Sequence, residues 1–297
     1  MIRDRRSATA AGVAIARAME HMRAPGDRIL EDPYAIAFAQ GDPRRFAVTS
    51  GPLRRLALRV FERLMPGTVE LVAARGRYAD GLVTARAGAG CDQLVVLGAG
   101  FDTASLRLAP HLPGVTIFEV DHPATQATKR RRIRAHVRPA ESAHVRFVPV
   151  DLMRDDLADA LRRAGFATDE RAVVVWEGVT NYLTADAVDT TLRHLAGLIA
   201  RGGRLVVTYI DRSALDGTGG FSGVEEWHAA VRRHGESWTF GFDPVELPGY
   251  LAERGMTLTQ DVSTRDAAAR YLGPLGRDEP TAPFYRIACA EFSQDAA

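Results

Sequence analysis

The sequence predicts an α/β protein built on a mostly parallel sheet of seven strands, with the final strand inserted antiparallel at or near an edge. Three observations predict it. Short β-rich runs recur at intervals of about thirty residues with helical stretches between them, the spacing of βαβ units. The first run closes on a glycine turn, in "LVVLGAGFDTASLRL" (94–108), and helix-like spacing follows at once. The residues before about position 90 carry no strand pattern and read as a helical cap.

In the cap, Val13, Ile15, Ala16 and Met19 recur at roughly helical spacing, and Leu53, Leu56, Val60 and Leu64 do so again within "FAVTSGPLRRLALRVFERLM". After "RAGAGCD" come five expected strands: "QLVVL" (93–97), "VTIFEV" (115–120), "VRFVPV" (145–150), "AVVVW" (172–176) and "RLVVTYI" (204–210). A helical insert over about 211–250 follows, and "MTLTQDVS" (256–263) and "FYRIACAEF" (284–292) complete the sheet. The division expected is a cap over 1–90 and a sheet domain over 91–297, without internal repeats or low-complexity linkers.

The 297 residues, 46% hydrophobic and 25% charged, are enough for one large domain with additions. A formal net charge of +1 gives no reason to expect nucleic acid or a membrane as partner. The one basic run, "KRRRIR" (129–134), reads as a solvated helix face. Cys91 and Cys289 form neither a metal cluster pattern nor a disulfide framework, which suits a reducing interior. No run approaches the roughly 20 apolar residues of a membrane helix. Asp4 and Glu20 interrupt the Arg- and Ala-rich start, so a cytoplasmic protein is expected.

In an open parallel sheet the ligand sits beyond the carboxyl ends of the strands, so the strand ends carry the functional information. Gly98 and Gly100 let the backbone approach a ligand that a Cβ would obstruct. Position 103 is Thr where the dinucleotide fingerprint has a third glycine, which counts against NAD. Asp121 ends "FEVD" about twenty residues on, where an acid commonly accepts hydrogen bonds from ribose hydroxyls. Asp151 and Leu152 in "PVDL" suit an exocyclic amine and the face of an adenine, although a helix N-cap is the blander reading of Asp151. Glu177, after "VVVW", needs a partner because an unpaired buried charge is costly; a cationic ligand or a structural arginine would serve.

These motifs, with "ARGRYADGLV", "DPYAIAF" and "EGVTNYL", resemble the leucine carboxyl methyltransferase family, and its bacterial branch in particular, in order along roughly residues 7–211. The resemblance implies a Rossmann-like class I methyltransferase fold and S-adenosyl-L-methionine as cofactor. It implies that Arg75, with Arg77 the neighbouring alternative, holds the cofactor's carboxylate. Gly98 and Gly100 would form the turn, Asp121 the ribose acid, Asp151 and Leu152 the adenine contacts, and Glu177 the acid near the amino group and the transfer site. Phosphatase-directed members have an N-terminal lysine near the cofactor; this chain's single lysine is Lys129, leaving Arg5, Arg6 and Arg17 as substitutes.

The resemblance also implies O-methylation of a small carboxylic acid, such as a polyketide or other secondary product. A carboxylate, with an ordinary pKa of about 4, needs no general base, and an in-line displacement needs no metal. A phenol or alcohol would want a base, commonly His. His122 is placed for it but reads as a loop or capping residue; His228 and His234 lie on the insert. Tyr182, Tyr209 and Asp211 are expected substrate contacts, with Glu177 and Tyr182 nearest the chemistry. Trp227, Trp238, Phe240 and Phe242 fit a core better than a pocket. Methylation of a protein carboxyl terminus is the alternative within the same chemistry. An NAD-dependent oxidoreductase or a silent nucleotide-binding module is the alternative outside it, and monomer and homodimer both stay open.

Overall fold

All seven expected strands lie in a single sheet of the computed structural model, which describes residues 8–39, 44–87, 90–199, 202–233 and 237–293. They are β1 (Gln93–Leu97), β2 (Thr116–Asp121), β3 (Val145–Pro149), β4 (Ala172–Trp176), β5 (Arg204–Ile210), β6 (Met256–Ser263) and β7 (Tyr285–Phe292). The spatial order is β3-β2-β1-β4-β5-β7-β6. Strands β1 to β5 are parallel, and β7 runs antiparallel between β5 and β6, one place in from the edge. The order reverses between β1 and β4, the point where an open parallel sheet leaves a crevice at its carboxyl ends.

The longer helices are α1 (Ala8–His21), α2 (Gly51–Leu64), α3 (Thr68–Ala87), α4 (Pro123–His136), α5 (Leu157–Arg163), α6 (Ala185–Ala196), α7 (Val224–Arg233), α8 (Leu247–Ala252) and α9 (Thr264–Leu272). Alternation along β1 sorts its apolar residues between the two faces. Val95 and Leu97 join Phe118, Trp176 and Leu161, Val188 and Leu192 of α5 and α6. Leu94 and Val96 join Ile117, Val175, Tyr78 and Val83 of α3 and Ala267 of α9. Burying each large aliphatic side chain of these layers is worth roughly 1.5–3 kcal/mol. Polar residues start the helices: Asp156 accepts from Asp159 N at 2.8 Å to begin α5, and Ser263 caps α9 in the same way.

The helical first third is not one cap. The C-terminal half of α3 packs under the sheet through Tyr78, Ala79 and Val83, so no break in the core falls at position 90. The part that covers the strand ends is α1, which packs on α3 and brings Ala10 over the glycine turn and Arg17 beneath it. In the insert, the aromatics expected as core pack into two clusters, and Trp227 also faces a cavity. Trp227 of α7 lies 6.1 Å from Trp238 and 5.8 Å from both Phe284 and Tyr285. Phe242 packs edge-on against Phe240 and Tyr209.

Candidate active site

Strand register sets the expected ligand residues at one height. Leu97 pairs with Val120 and with Trp176, and Asp121 pairs with Pro149, so Gly98, Asp121 and Glu177 leave three adjacent strands at the same level. Gly98 and Gly100 have φ of 61° and 44°, the left-handed region that a Cβ disfavours. A Cβ on Gly98 would also run into the side chain of Val179. Gly100 N donates to Oδ2 of Asp121 and His122 N to Oδ1, each at 2.7 Å, so one carboxylate organises both strand ends. Burial pushes Asp121 up to about 6, against the pull of those two amides and of Lys129.

Lys129 is a supporting residue that sequence reasoning missed. It is buried, ion-paired to Glu119 at 2.8 Å, with Nζ 3.4 Å from the carbonyl of Ala99 in the glycine turn. Its helix α4 turns only part of the basic run to solvent. A lone lysine among 37 arginines was the available signal.

Glu177 has structural arginines as partners. Its Oε1 accepts from Arg75 Nε at 2.9 Å and from Arg17 Nη2 at 3.1 Å. Arg17 also pairs with Asp102, whose other oxygen accepts from Ala104 N. Burial alone would lower the Arg17 pKa, but Asp102 and Glu177 outweigh it and hold the guanidinium charged; in return Arg17 depresses Asp102 against its own burial. Nε and Nη1 of Arg17 are buried and have no partner among the described residues. Arg5, Arg6 and His234 lie outside the described residues. Helix α3 separates the two arginine alternatives: Arg75 faces inward, while Arg77, two positions on, is exposed.

Two cavities flank this ion cluster. One, of about 420 Å³, is bounded by Gly98, Ala99, Asp102 and Glu177 above and by Asp80, Arg107 and Val83 behind. The other, of about 620 Å³, takes Thr68, Leu71, Val72 and Arg75 from one face of α3, Gly12 and Val13 from α1, Phe61 from α2, and Trp227 and Val231 from α7. Tyr182 and Tyr285 complete it. Arg75 is the one charged side chain among its described walls. Tyr285 is fully buried; that burial, with Tyr182 beside it, raises its phenol well above 10, so it stays protonated.

Two expected contacts are placed differently. Tyr209 points into the core, donating to Oδ2 of Asp261 at 2.8 Å and accepting from Arg286 at 3.0 Å, because β5 turns this position away from the cavity. Asp211 caps the turn after β5, accepting from Ser213 N at 3.0 Å and Ser213 Oγ at 2.6 Å. Neither lines the cavity with Tyr182. Asp151 does not cap α5, since Asp156 does; its Oδ1 accepts from Met153 N at 3.0 Å in the loop after β3. Asp151 lies two residues past the Pro149 that pairs with Asp121, and Leu152 packs partly on the core. His122 caps α4 through Ala124 N at 3.3 Å.

The donor set fits S-adenosyl-L-methionine. A zwitterionic amino acid end requires both signs of charge, and Arg17, Arg75 and Glu177 supply them around unpartnered guanidinium nitrogens. A ribose requires an acceptor at the second strand end, and Asp121 is there.

Comparison with known proteins agrees with this chemistry. The leucine carboxyl methyltransferase family matches residues 10–196. A provisionally named S-adenosyl-L-methionine-dependent methyltransferase of Mycolicibacterium gilvum is 34% identical over 293 residues, covering 92% of this chain and 91% of that protein. One from Frankia alni is 33% identical over 268 residues, covering 90% and 88%. A crystal structure of a provisionally named methyltransferase from Thermobifida fusca shares the fold, with a TM-score of 0.59 at 18% identity over 95% of this chain and 94% of that one. The chain belongs to the leucine carboxyl methyltransferase family and is an S-adenosylmethionine-dependent methyltransferase of the class I fold.

Proposed function

We propose that the protein is an O-methyltransferase acting on the carboxylate of a small, largely apolar metabolite, a polyketide or similar secondary product. The observation that carries this reading is the lining of the 620 Å³ cavity: among the described residues its one charged wall side chain is Arg75, held by Glu177, amid Val13, Leu71, Val72 and Val231. The walls include no His, Asp or Glu among the described residues, and Tyr285 holds its proton, so a carboxylate, which arrives ionised, matches the site better than an alcohol needing a base.

When bound, the cofactor supplies an electrophilic methyl carbon on a positive sulfur. The chain's own residues position the reactants. Glu177 and Arg75 stand between the two cavities and orient the charged ends that meet there. Gly98, Gly100 and Asp121 would hold the nucleoside, with Asp151 and Leu152 at the adenine. Tyr182, on the acceptor side, would hydrogen-bond the carboxylate. Alignment of this kind supplies roughly 7–11 kcal/mol of a barrier in favourable cases. The aromatic wall from α7 favours a small acid over a protein carboxyl terminus, which would need an open groove.

The test is incubation with radiolabelled S-adenosylmethionine and a panel of carboxylic acids and phenols. A methyl ester loses its label as methanol on mild base treatment. Base-stable label, from an ether or a methylamine, would remove the carboxylate reading.

A further inference from the structure

Exposed apolar side chains on this protein are concentrated in one place. Of the seven large hydrophobic residues that stand exposed among the described residues, Phe46, Leu53, Leu56, Val60 and Leu64 lie within residues 44–64. Four of them form one stripe along α2, at helical spacing, with exposures from 48% to 58%. Beside the stripe is an apolar groove lined by Met19, Ala57 and Phe61. Residues 44–64 also contain six arginines and one acid, Glu62, a local charge of +5 in a chain whose total is +1. Glu62 is turned inward to accept from Gly67 N at 2.8 Å.

Arg55, Arg59 and Arg63 recur every four residues and form a second, exposed row alongside the apolar stripe. None of the three has an ion-pair partner among the described residues. An apolar stripe flanked by arginines is the pattern of a helix lying in the plane of a lipid interface, its side chains in the acyl boundary and its guanidinium groups at the phosphates. A second copy of the chain is disfavoured as occupant in an antiparallel two-fold contact, which would bring two arginine rows together along one side of the stripe.

We propose that α2 is a peripheral docking helix for an anionic lipid surface. This departs from the expectation of no membrane partner, which rested on net charge averaged over the whole chain. No helix among the described residues is long and apolar enough to span a bilayer, so the contact is a surface one. Phe61 gives the location a purpose. It belongs to α2, lies next to the exposed stripe and walls both the surface groove and the 620 Å³ cavity, so docking holds the acceptor cavity against the lipid.

The test is sedimentation of the full-length protein with vesicles of phosphatidylcholine, with and without phosphatidylglycerol. Binding is expected with the anionic vesicles and is expected to weaken steeply in high salt. The Leu56→Glu/Val60→Glu variant should lose it. The Arg55→Gln/Arg59→Gln/Arg63→Gln variant should lose on the order of a hundredfold in partition, from three arginines at a charged surface. These residues are exposed and outside the cofactor site, so both variants should bind S-adenosylhomocysteine as the parent does, which reports their folding. Absence of parent binding to either vesicle overturns the proposal, as does equal binding to both. Light scattering that shows a dimer dispersed by Leu56→Glu/Val60→Glu also overturns it and assigns the stripe to a second copy.

Discussion

Arg75 and Glu177 stand 102 residues apart in the chain and meet at 2.9 Å between the two cavities, where Arg17 shares the same carboxylate oxygen. Each arginine is at most 5% exposed, and Glu177 and Asp102 together balance the two buried cations, Glu177 being the acid that Arg75 pairs with. Glu177→Gln should therefore cost about 3–5 kcal/mol in urea unfolding, the range for a buried charge left without its partner. Arg75→Met leaves Glu177 paired to Arg17 and should cost much less stability. It should instead weaken S-adenosylhomocysteine binding by about 1.5–3 kcal/mol in calorimetry, as expected for a hydrogen bond to a charged group. Unchanged affinity in Arg75→Met would assign the pair to structure alone.

Gly98 combines positive φ with a crowded neighbour. The left-handed backbone should make Gly98→Ala cost about 1–3 kcal/mol, and the contact with Val179 adds to it. Val179→Ala opens that space without altering φ. The double variant should recover part of the loss, giving a nonadditive cycle in denaturant unfolding. Strict additivity would show that Val179 does not press on position 98.

The strands were legible because each is an apolar β-rich run bounded by polar or glycine residues, and β1, β4, β5 and β6 coincide with the expected segments to the residue. Glycine turn, strand-end acids and fourth-strand acid were legible because topology forces strand ends together. The partners inside the site were less so. That Glu177 meets two arginines depends on how α1 and α3 lie over the sheet, which no local pattern encodes. Tyr209 and Asp211 show the limit at the fifth strand: position along a strand indicates height in the sheet, but alternation puts Tyr209 on the core face with Leu205 and Val207, and Asp211 is taken up as a turn cap. The boundary near 90 failed for a related reason, since the spacing of α3 does not reveal that its second half packs under β1.

Asp121 gives cofactor binding a pH dependence. Burial raises its carboxyl from 3.8 in the unfolded chain to about 6. Between those values the native protein holds a proton that the unfolded chain has released, so this group's contribution to stability is complete below about 4 and is lost as pH rises to about 6. Binding has the opposite sign, because ribose hydroxyls need the ionised acceptor. Affinity for S-adenosylhomocysteine should be flat above about 7 and should fall below about 6, approaching tenfold per pH unit. Calorimetry from acid to neutral pH checks this, with Asp121→Asn expected to bind weakly and without that slope. A parent profile as flat as that of the variant would separate Asp121 from the nucleoside.

Tyr209 and Tyr182 should differ in their effect on catalysis. The Tyr209 hydroxyl links Asp261 and Arg286, which also pair directly at 2.9 Å. Tyr209→Phe removes the hydroxyl and leaves the ion pair, so a loss of about 0.5–1.5 kcal/mol in unfolding is expected. Its kcat and acceptor KM should stay within about twofold of the parent, since the residue makes no contact with either cavity. Tyr182 lines the acceptor cavity, and Tyr182→Phe should raise acceptor KM or lower kcat severalfold. The two variants differ from the parent by one oxygen each, so the comparison isolates where that oxygen stands. A rise in acceptor KM for Tyr209→Phe with unaltered unfolding would place the fifth-strand tyrosine at the acceptor after all, and would mean that β5 presents its other face when substrate binds.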